Sequence, residues 1–355
     1  MVEVKAASDE PTRLAEIIHP LFADQARGWS SRLDNGSSTR LLAGVPAQDD
    51  CAVFGLLGDQ ELVLGSDYVR GPKFQLYELG HLNEYDIGYY LAIANFSDIA
   101  AMGAHPIALL SVIRYPKHMP DDVFSQVMEG VRDACASVGA PNVGGDIGTA
   151  ERLILSASAM GVVEPGRSLR RNGARPGDLL YITGPTGIAA AAQLYFSKMA
   201  STGATRRDGM EEELIGAWKR PKALVRHGRC LSRSGVVTSC QDSSDGLKAG
   251  IQTIATLSGV GFLVEEDTLP IADVVAEVAK LGGADPVAMV LGDSVDFQLV
   301  FTVAAEAQSR LEEELAAGGL SFHRIGVATE ERAVMLRRLD GMLQDLPGVE
   351  WRHSA

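Results

Sequence analysis

Carboxylates stand at the ends of apolar runs at one position after another along this chain. Asp49-Asp50 precede Cys51-Ala-Val-Phe54, Asp67 follows Leu62-Val-Leu-Gly-Ser66, and Asp98 closes Leu91-Ala-Ile-Ala-Asn-Phe-Ser97. Asp146 follows Val143-Gly-Gly145, and Asp242 and Asp245 follow Val236-Val-Thr-Ser-Cys-Gln241. A carboxylate at the mouth of a buried strand is costly to desolvate unless a cation or a donor compensates it. Several converging carboxylates repel one another, and a hard divalent ion is the usual remedy. Mg²⁺ prefers oxygen ligands and keeps positions open for phosphate. Taken singly, each Asp is equally a turn former or a helix cap. The repetition in five separate loops points to a Mg²⁺–nucleotide site assembled from loops.

Bulk properties bound the alternatives. With 355 residues, 46% of them hydrophobic, the chain can bury a large core, and the length suits two domains. Its 38 glycines and 6% aromatic content suit an α/β protein with many tight turns. The formal net charge of −14 leaves no electrostatic footprint for nucleic acid or an anionic membrane. Phosphates must then be held through metal ions and local donors. Cys51, Cys135, Cys230 and Cys240 show neither a C-x-x-C pair nor a zinc pattern, so reduced thiols are expected. The N-terminus lacks the basic-then-apolar layout of a signal peptide, and no apolar run reaches the length of a membrane span. A cytoplasmic protein is the expectation.

Periodicity divides the chain into four parts. Residues 1–44 hold a helix over Thr12–Ala26 and then a Gly-, Ser-, Asn- and Arg-rich mobile loop over Gly28–Gly44. Residues 45–165 form a first domain. Its expected strands are Cys51–Leu57, Glu61–Gly65, Ile107–Arg114 and Leu153–Val163. A buried helix is expected over Ile87–Met102 and an amphipathic one over Asp121–Val138. The Pro-, Gly- and Arg-rich segment 166–178 reads as a linker. Residues 179–345 form a second domain, with strands at Leu179–Thr183, Val236–Gln241, Gly261–Glu265 and Phe297–Ala304. Its helices are expected at Ile188–Phe196, Gly246–Ser258 and Ile271–Leu281. Gly184-Pro-Thr-Gly187 ahead of a helix can present N–H groups to a phosphate, but more often serves as a tight turn. P-loop, protein-kinase and hydrolase-elbow signatures are absent.

Five ordered segments carry a family resemblance. Gln48-Asp-Asp-Cys-Ala-Val53 resembles the G-D-D-A-A-V segment of thiamine-monophosphate kinases, and Asn95-Phe-Ser-Asp-Ile-Ala-Ala-Met-Gly-Ala104 resembles their N-L-S-D-[IL]-A-A-M-G-A. Val143-Gly-Gly-Asp146 is similar to the family's G-G-D-T turn, Arg171-Asn-Gly-Ala-Arg-Pro-Gly-Asp178 to R-x-G-A-x-x-G-D, and Asp242-Ser-Ser-Asp-Gly-Leu247 to D-x-S-D-G-L. The resemblance implies an α/β (α+β), two-domain fold like that of aminoimidazole ribonucleotide synthetase. The N-terminal domain would form a dimeric β-barrel with a second copy, and the C-terminal domain would be α/β. It implies a homodimer that uses ATP and Mg²⁺ in a cleft. By position, Asp49, Asp50, Asp67, Asp98, Asp146, Asp242 and Asp245 would hold metal, with Asp98, Asp146 and Asp245 central to catalysis. Asn95, Ser97, Gly144, Gly145, Arg171 and Ser244 would contact the nucleotide, and the Gly28–Gly44 segment would cover its phosphates. An acceptor that is already a phosphate monoester needs no general base, in keeping with the lack of a convincing catalytic His; His105 reads as structural.

Three departures from the family pattern matter, the first and last of them where acceptor recognition is expected. The family's D-T-L-V-E-G-V-H-F becomes Asp67-Tyr-Val-Arg-Gly-Pro-Lys-Phe74, its G-Y-K becomes Gly88-Tyr-Tyr90, and its G-G-E-D-Y-E-L becomes Leu291-Gly-Asp-Ser-Val-Asp-Phe-Gln-Leu299. Arg70, Lys73, Asp293 and Asp296 are therefore the candidate acceptor-binding residues. The leading reading is an ATP- and Mg²⁺-dependent phosphotransferase acting on thiamine monophosphate or a related small phosphorylated acceptor. Two alternatives stand beside it: a related enzyme activating an amide or carboxyl oxygen by phosphorylation, and a non-catalytic nucleotide-binding dimer.

Overall fold

The computed structural model describes residues 30–32, 38–43, 49, 51–55, 60–69, 75–200 and 207–349. The helix expected over Thr12–Ala26 and the candidates Asp50, Arg70 and Lys73 lie outside the described residues.

The N-terminal half is built on strands β1 (Ser30–Arg32), β2 (Ser38–Ala43), β3 (Ala52–Gly55), β4 (Glu61–Val69), β5 (His105–Pro116), β6 (Asn142–Ala150) and β7 (Ile154–Val163). They form one sheet in the order β1-β2-β3-β4-β7-β5-β6, antiparallel except for the parallel β5–β6 pair. Helices α1 (Gln75–Glu78), α2 (Glu84–Ala101) and α3 (Asp121–Val138) complete this half. Residues Val63, Leu155, Ala157, Leu109 and Ile113 bury one face of the sheet, while Tyr68, Leu110 and Asp146 stand exposed. α2 is apolar on nearly every side because it is covered on every side. It packs on β4 and β7, on α3, and on elements of the C-terminal half. Glycines set its distance from α3: a Cβ on Gly88 would lie 2.0 Å from the Val127 carbonyl oxygen, and one on Gly130 2.0 Å from that of Tyr85.

The C-terminal half carries β8 (Leu179–Ile182), α4 (Ile188–Lys198), α5 (Met210–Lys219), α6 (Val225–Ser234), β9 (Val237–Asp242), α7 (Leu247–Ser258) and β10 (Gly261–Glu265). It continues through α8 (Asp273–Gly282), α9 (Pro286–Leu291), β11 (Leu299–Val303), α10 (Gln308–Ala317), β12 (His323–Thr329), β13 (Val334–Arg337) and β14 (Leu343–Asp345). The second sheet runs β14-β13-β10-β12-β8-β11-β9. A buried carboxylate joins the halves at the start of α2. Asp86 closes a reciprocal capping box with Asn83 and also accepts from Arg220 Nη1 at 3.0 Å. The Arg220 guanidinium lies over the rings of Tyr85 and Tyr89.

Three expectations change. The segment expected as a mobile loop over Gly28–Gly44 contains β1 and β2, because Ser38-Thr-Arg-Leu-Leu-Ala43 satisfies its backbone groups by pairing with β1 and β3. β4 runs on through Ser66-Asp67-Tyr68 to Val69, paired residue for residue with β7, so Asp67 lies inside a strand. The Gly-Gly-Asp segment, expected as a turn, is part of β6. Gly145 adopts φ 141°, and a Cβ there would lie 1.7 Å from the Ser111 carbonyl oxygen. None of the four cysteines is in a disulfide. Among the described residues no helix is long and apolar enough to cross a membrane.

Candidate active site

The carboxylates meet at a tyrosine. Tyr90 lies on α2 with 4% of its surface exposed, stacked on Trp218 of α5 at 5.9 Å between ring centres and tilted against Phe297 at 5.4 Å. Burial pushes its hydroxyl pKa well above the ordinary value. The charges of Asp67, Asp245, Asp242 and Asp293 push it further. Those four residues come from β4, the end of β9, the start of α7 and the turn after α9. Both halves of the chain therefore direct negative charge at one neutral phenol. Phe297, beneath the ring, is the one non-glycine residue with positive φ (52°) among those described, a conformation costing about 1 to 3 kcal/mol. Strain of this kind persists where surrounding contacts over-determine it, and here it seats the ring against Tyr90.

Hydrogen bonds fix the backbone at one of these residues and the carboxylate of another. The Asn95 amide oxygen accepts from the Asp67 backbone N–H at 3.0 Å while its Nδ2 donates to the Leu91 carbonyl, pinning β4 to α2. Asp242 is 1% exposed and accepts from Ser97 Oγ at 2.5 Å and Ser244 Oγ at 3.1 Å. The Ser97 contact crosses from one half of the chain to the other. Asp98, the next residue on α2, is half-buried, as is Asp245.

Other candidates are placed elsewhere. Asp49 accepts from the Arg171 backbone N–H at 2.9 Å and pairs with Arg170 Nη1 at 3.2 Å, its side chain only 2% exposed. The 166–178 segment thus supplies Asp49 with a guanidinium. Asp146 pairs with Arg114 at 2.6 Å. Across the sheet it aligns with Val112, Ser156 and Tyr68, whereas Asp67 aligns with Ala157, Ser111 and Gly145. Neighbours across a ladder share a face. Asp146 therefore stands on the face opposite Asp67. Gly144 and Gly145 lie on the same edge strand, away from Tyr90. Asp296, expected to bind the acceptor, instead caps α4: its two oxygens accept from the backbone N–H groups of Gly187 (2.6 Å) and Ala189 (3.1 Å). Burial raises its pKa against the opposing pull of those bonds. The Gly184–Gly187 segment is accordingly a capped turn.

Comparison with known proteins follows from this geometry. The model of the AIR synthase related protein N-terminal domain matches residues 48–163, and that of the C-terminal domain matches residues 175–337. The thiamine-monophosphate kinase of Halobacterium salinarum is 31% identical over 87% of this chain and 96% of its own length. That of Pyrococcus horikoshii is 30% identical over 76% and 79%. The chain belongs to the thiamine-monophosphate kinase family. Membership places it among ATP-dependent kinases. The solved complex of AaThiL with AMPPCP and TMP has the same fold, with a TM-score of 0.73 at 24% identity over 86% of this chain and 91% of that one.

Within the family frame, three features were not read from the sequence. Arg170, one position before the motif arginine, is the partner of Asp49. Trp218 and Phe297 wall in Tyr90, yet no local pattern in the sequence marks a positive φ or a stack between α2 and α5. The signal that was available is the replacement of the family's lysine by Tyr90.

Proposed function

We propose that this chain transfers the γ-phosphoryl group of ATP, with Mg²⁺, to thiamine monophosphate or a related small phosphorylated acceptor. The observation that carries the reading is that one stretch of α2 holds acidic residues from both halves of the chain: Asn95 accepts from the Asp67 backbone N–H at 3.0 Å, and Ser97 Oγ donates to the Asp242 carboxylate at 2.5 Å. The carboxylates of Asp67, Asp242 and Asp245 fit Mg²⁺: they are hard oxygen donors of one sign drawn from both halves of the chain. Among the described residues no three His, Cys, Asp or Glu form a closed cage. An ion held by one or two carboxylates plus nucleotide phosphates needs none. Asp67, Asp242 and Asp245 would hold the ion, which would supply positive charge against the phosphate oxygens during transfer.

The protein's own part is alignment. Ser97 and Ser244 orient Asp242, and Asn95 holds Asp67 at the site. Asp98, beside Ser97, completes the ligand set in this reading. An ionised oxygen of the acceptor phosphate attacks the γ-phosphorus, the bond to the β–γ bridging oxygen breaks, and ADP departs with that electron pair. No proton need be removed, because a phosphate monoester is already largely ionised near neutral pH. Asp293, with Arg70 and Lys73, is assigned to the acceptor end, and Asp49, Asp50, Arg171, Gly144 and Gly145 to the nucleotide end. Replacing Asp67 or Asp245 with Asn is expected to lower Mg²⁺-dependent ADP formation by at least about a hundredfold, the scale of losing one electrostatic stabiliser, with an unchanged circular dichroism spectrum. Full activity in both variants would remove the metal assignment.

The second part of the reading is a homodimer. Tyr68 and Leu110 are exposed on the face of the N-terminal sheet that carries Asp146, with edge strand β6 beside them. A second copy burying this surface would cover both the apolar patch and the open edge. Asp146 then works at the dimer face rather than in the Tyr90 cluster. Leu110→Asp should convert the wild-type dimer to monomer in light scattering; a wild-type monomer would refute the arrangement.

A further inference from the structure

A cleft of about 1610 Å³ opens beside α2. Tyr89, which lines it, and Asp98 are nine residues apart on α2; at about 100° per residue they point in opposite directions. None of Asp67, Asp98, Asp242 and Asp245 lines the cleft. Its walls are α6, the segment before it, the end of β7, and the turn after α10.

The charge in this cleft runs against that of the chain. Lys222, Arg226, Arg229 and Arg233 line it, with His105 and His227, against only Glu164 and Glu314. Both carboxylates are already committed. Glu164 takes Arg229 at 2.6 Å and Arg233 at 3.9 Å, and Glu314 takes Arg310 at 3.1 Å. Arg226 donates to the neutral Gly318 carbonyl at 3.1 Å, so its charge is not cancelled there. Lys222 is exposed and has no ion-pair partner among the described residues. Between these two cations begins α6, whose N-cap, Leu224, offers no side-chain acceptor to the first N–H groups. His227 follows in the first turn. Its Nε2 is buried without a hydrogen-bond partner, and burial, then Arg226, hold its pKa below the ordinary value.

We propose that this cleft is a second binding site, independent of divalent metal, for a small organic phosphate. Two exposed cations and an uncapped helix start suit phosphate oxygens. The volume exceeds the roughly 300 to 1,000 Å³ of common small-molecule pockets, leaving room for an organic body against Tyr89, Leu224 and Pro185. The family's known reaction does not require such a site, and its sign of charge is opposite to that of the Asp cluster.

That opposition gives a clean test. In EDTA the carboxylate cluster repels anions, so inorganic pyrophosphate titrated calorimetrically into the metal-free protein reports on the basic cleft alone. Saturable binding is expected. It should weaken by on the order of tenfold or more in a Lys222→Ala/Arg226→Ala variant, as expected for losing charge-assisted hydrogen bonds, and should be unchanged in Asp245→Asn. Pyrophosphate should also raise the titration midpoint of the His227 imidazole followed by NMR. Absence of saturable binding in EDTA overturns the proposal. So does equal affinity in the double variant once its melting curve shows that it is folded.

Discussion

Tyr90→Lys is the substitution that most sharply probes the charge balance of the site. In the wild type a neutral phenol faces Asp67, Asp242, Asp245 and Asp293, so their combined field is left for a cation to neutralise. A lysine ammonium would take up part of that role. With a unit charge about 6 Å from a divalent ion, and an effective dielectric constant between ~20 and 80, the opposing energy is roughly 1.4 to 5.5 kcal/mol. The lower figure alone corresponds to about a tenfold weaker Mg²⁺ interaction. Loss of the contacts with Trp218 and Phe297 will lower stability by about 0.5 to 1.5 kcal/mol for each ring pair. Tyr90→Phe therefore serves as the control, since it keeps the ring and changes no charge. Half-saturating Mg²⁺ is read from ADP formation at fixed ATP, at a temperature where both variants are folded. The lysine variant should need at least about ten times more Mg²⁺, and the phenylalanine variant close to the wild-type amount. Equal half-saturation in all three proteins would show that Tyr90 does not lie in the field of the metal site.

Two further outcomes follow from the same contacts. Asp296→Ala should lower stability by about 0.5 to 2 kcal/mol in denaturant melts through loss of the α4 cap, while leaving the KM for the acceptor unchanged; the opposite pattern would return Asp296 to the acceptor site. Burial pushes the Cys135 thiol up to about 11, so its thiolate appears only as pH approaches that value. At pH 8, native Cys135 should alkylate at least about a hundredfold more slowly than in denatured protein, as read by peptide mass spectrometry; equal rates would place the thiol at the surface.

What the sequence disclosed depended on the range of the interaction. α3 matches its amphipathic spacing over Asp121–Val138 residue for residue, because one face packs on α2 and the other meets solvent. α2 was visible both in its apolar continuity and in the Asn95–Ala104 motif. β4 was cut short at Gly65 because Ser66, Asp67 and Tyr68 are polar or exposed, yet β7 continues to pair with them to Val69. β6 was hidden by two glycines, of which Gly145 serves close approach to β5, a contact made across some thirty residues.

The site divides in the same way. Asp67, Asp242 and Asp245 were legible as carboxylates after apolar runs, and they meet around Tyr90. Asp49, ahead of an apolar run, and Asp296, in the departing Leu291–Leu299 segment, have as partners Arg170 and the α4 N–H groups, more than a hundred residues away. Short-range composition cannot distinguish a carboxylate that holds metal from one that holds a guanidinium or a helix end. Asp146 shows a third case, in which strand parity assigns it to the opposite face of the sheet.

The central claim is phosphoryl transfer from ATP to a phosphate acceptor. Its most direct test is ³¹P NMR of the purified protein with ATP, Mg²⁺ and thiamine monophosphate, beside a sample without acceptor. The account predicts growth of diphosphate-ester signals matching thiamine diphosphate together with ADP, only in the complete mixture and only with Mg²⁺. ATP binding with no new diphosphate ester, or ADP formation that is the same without the acceptor, would contradict it.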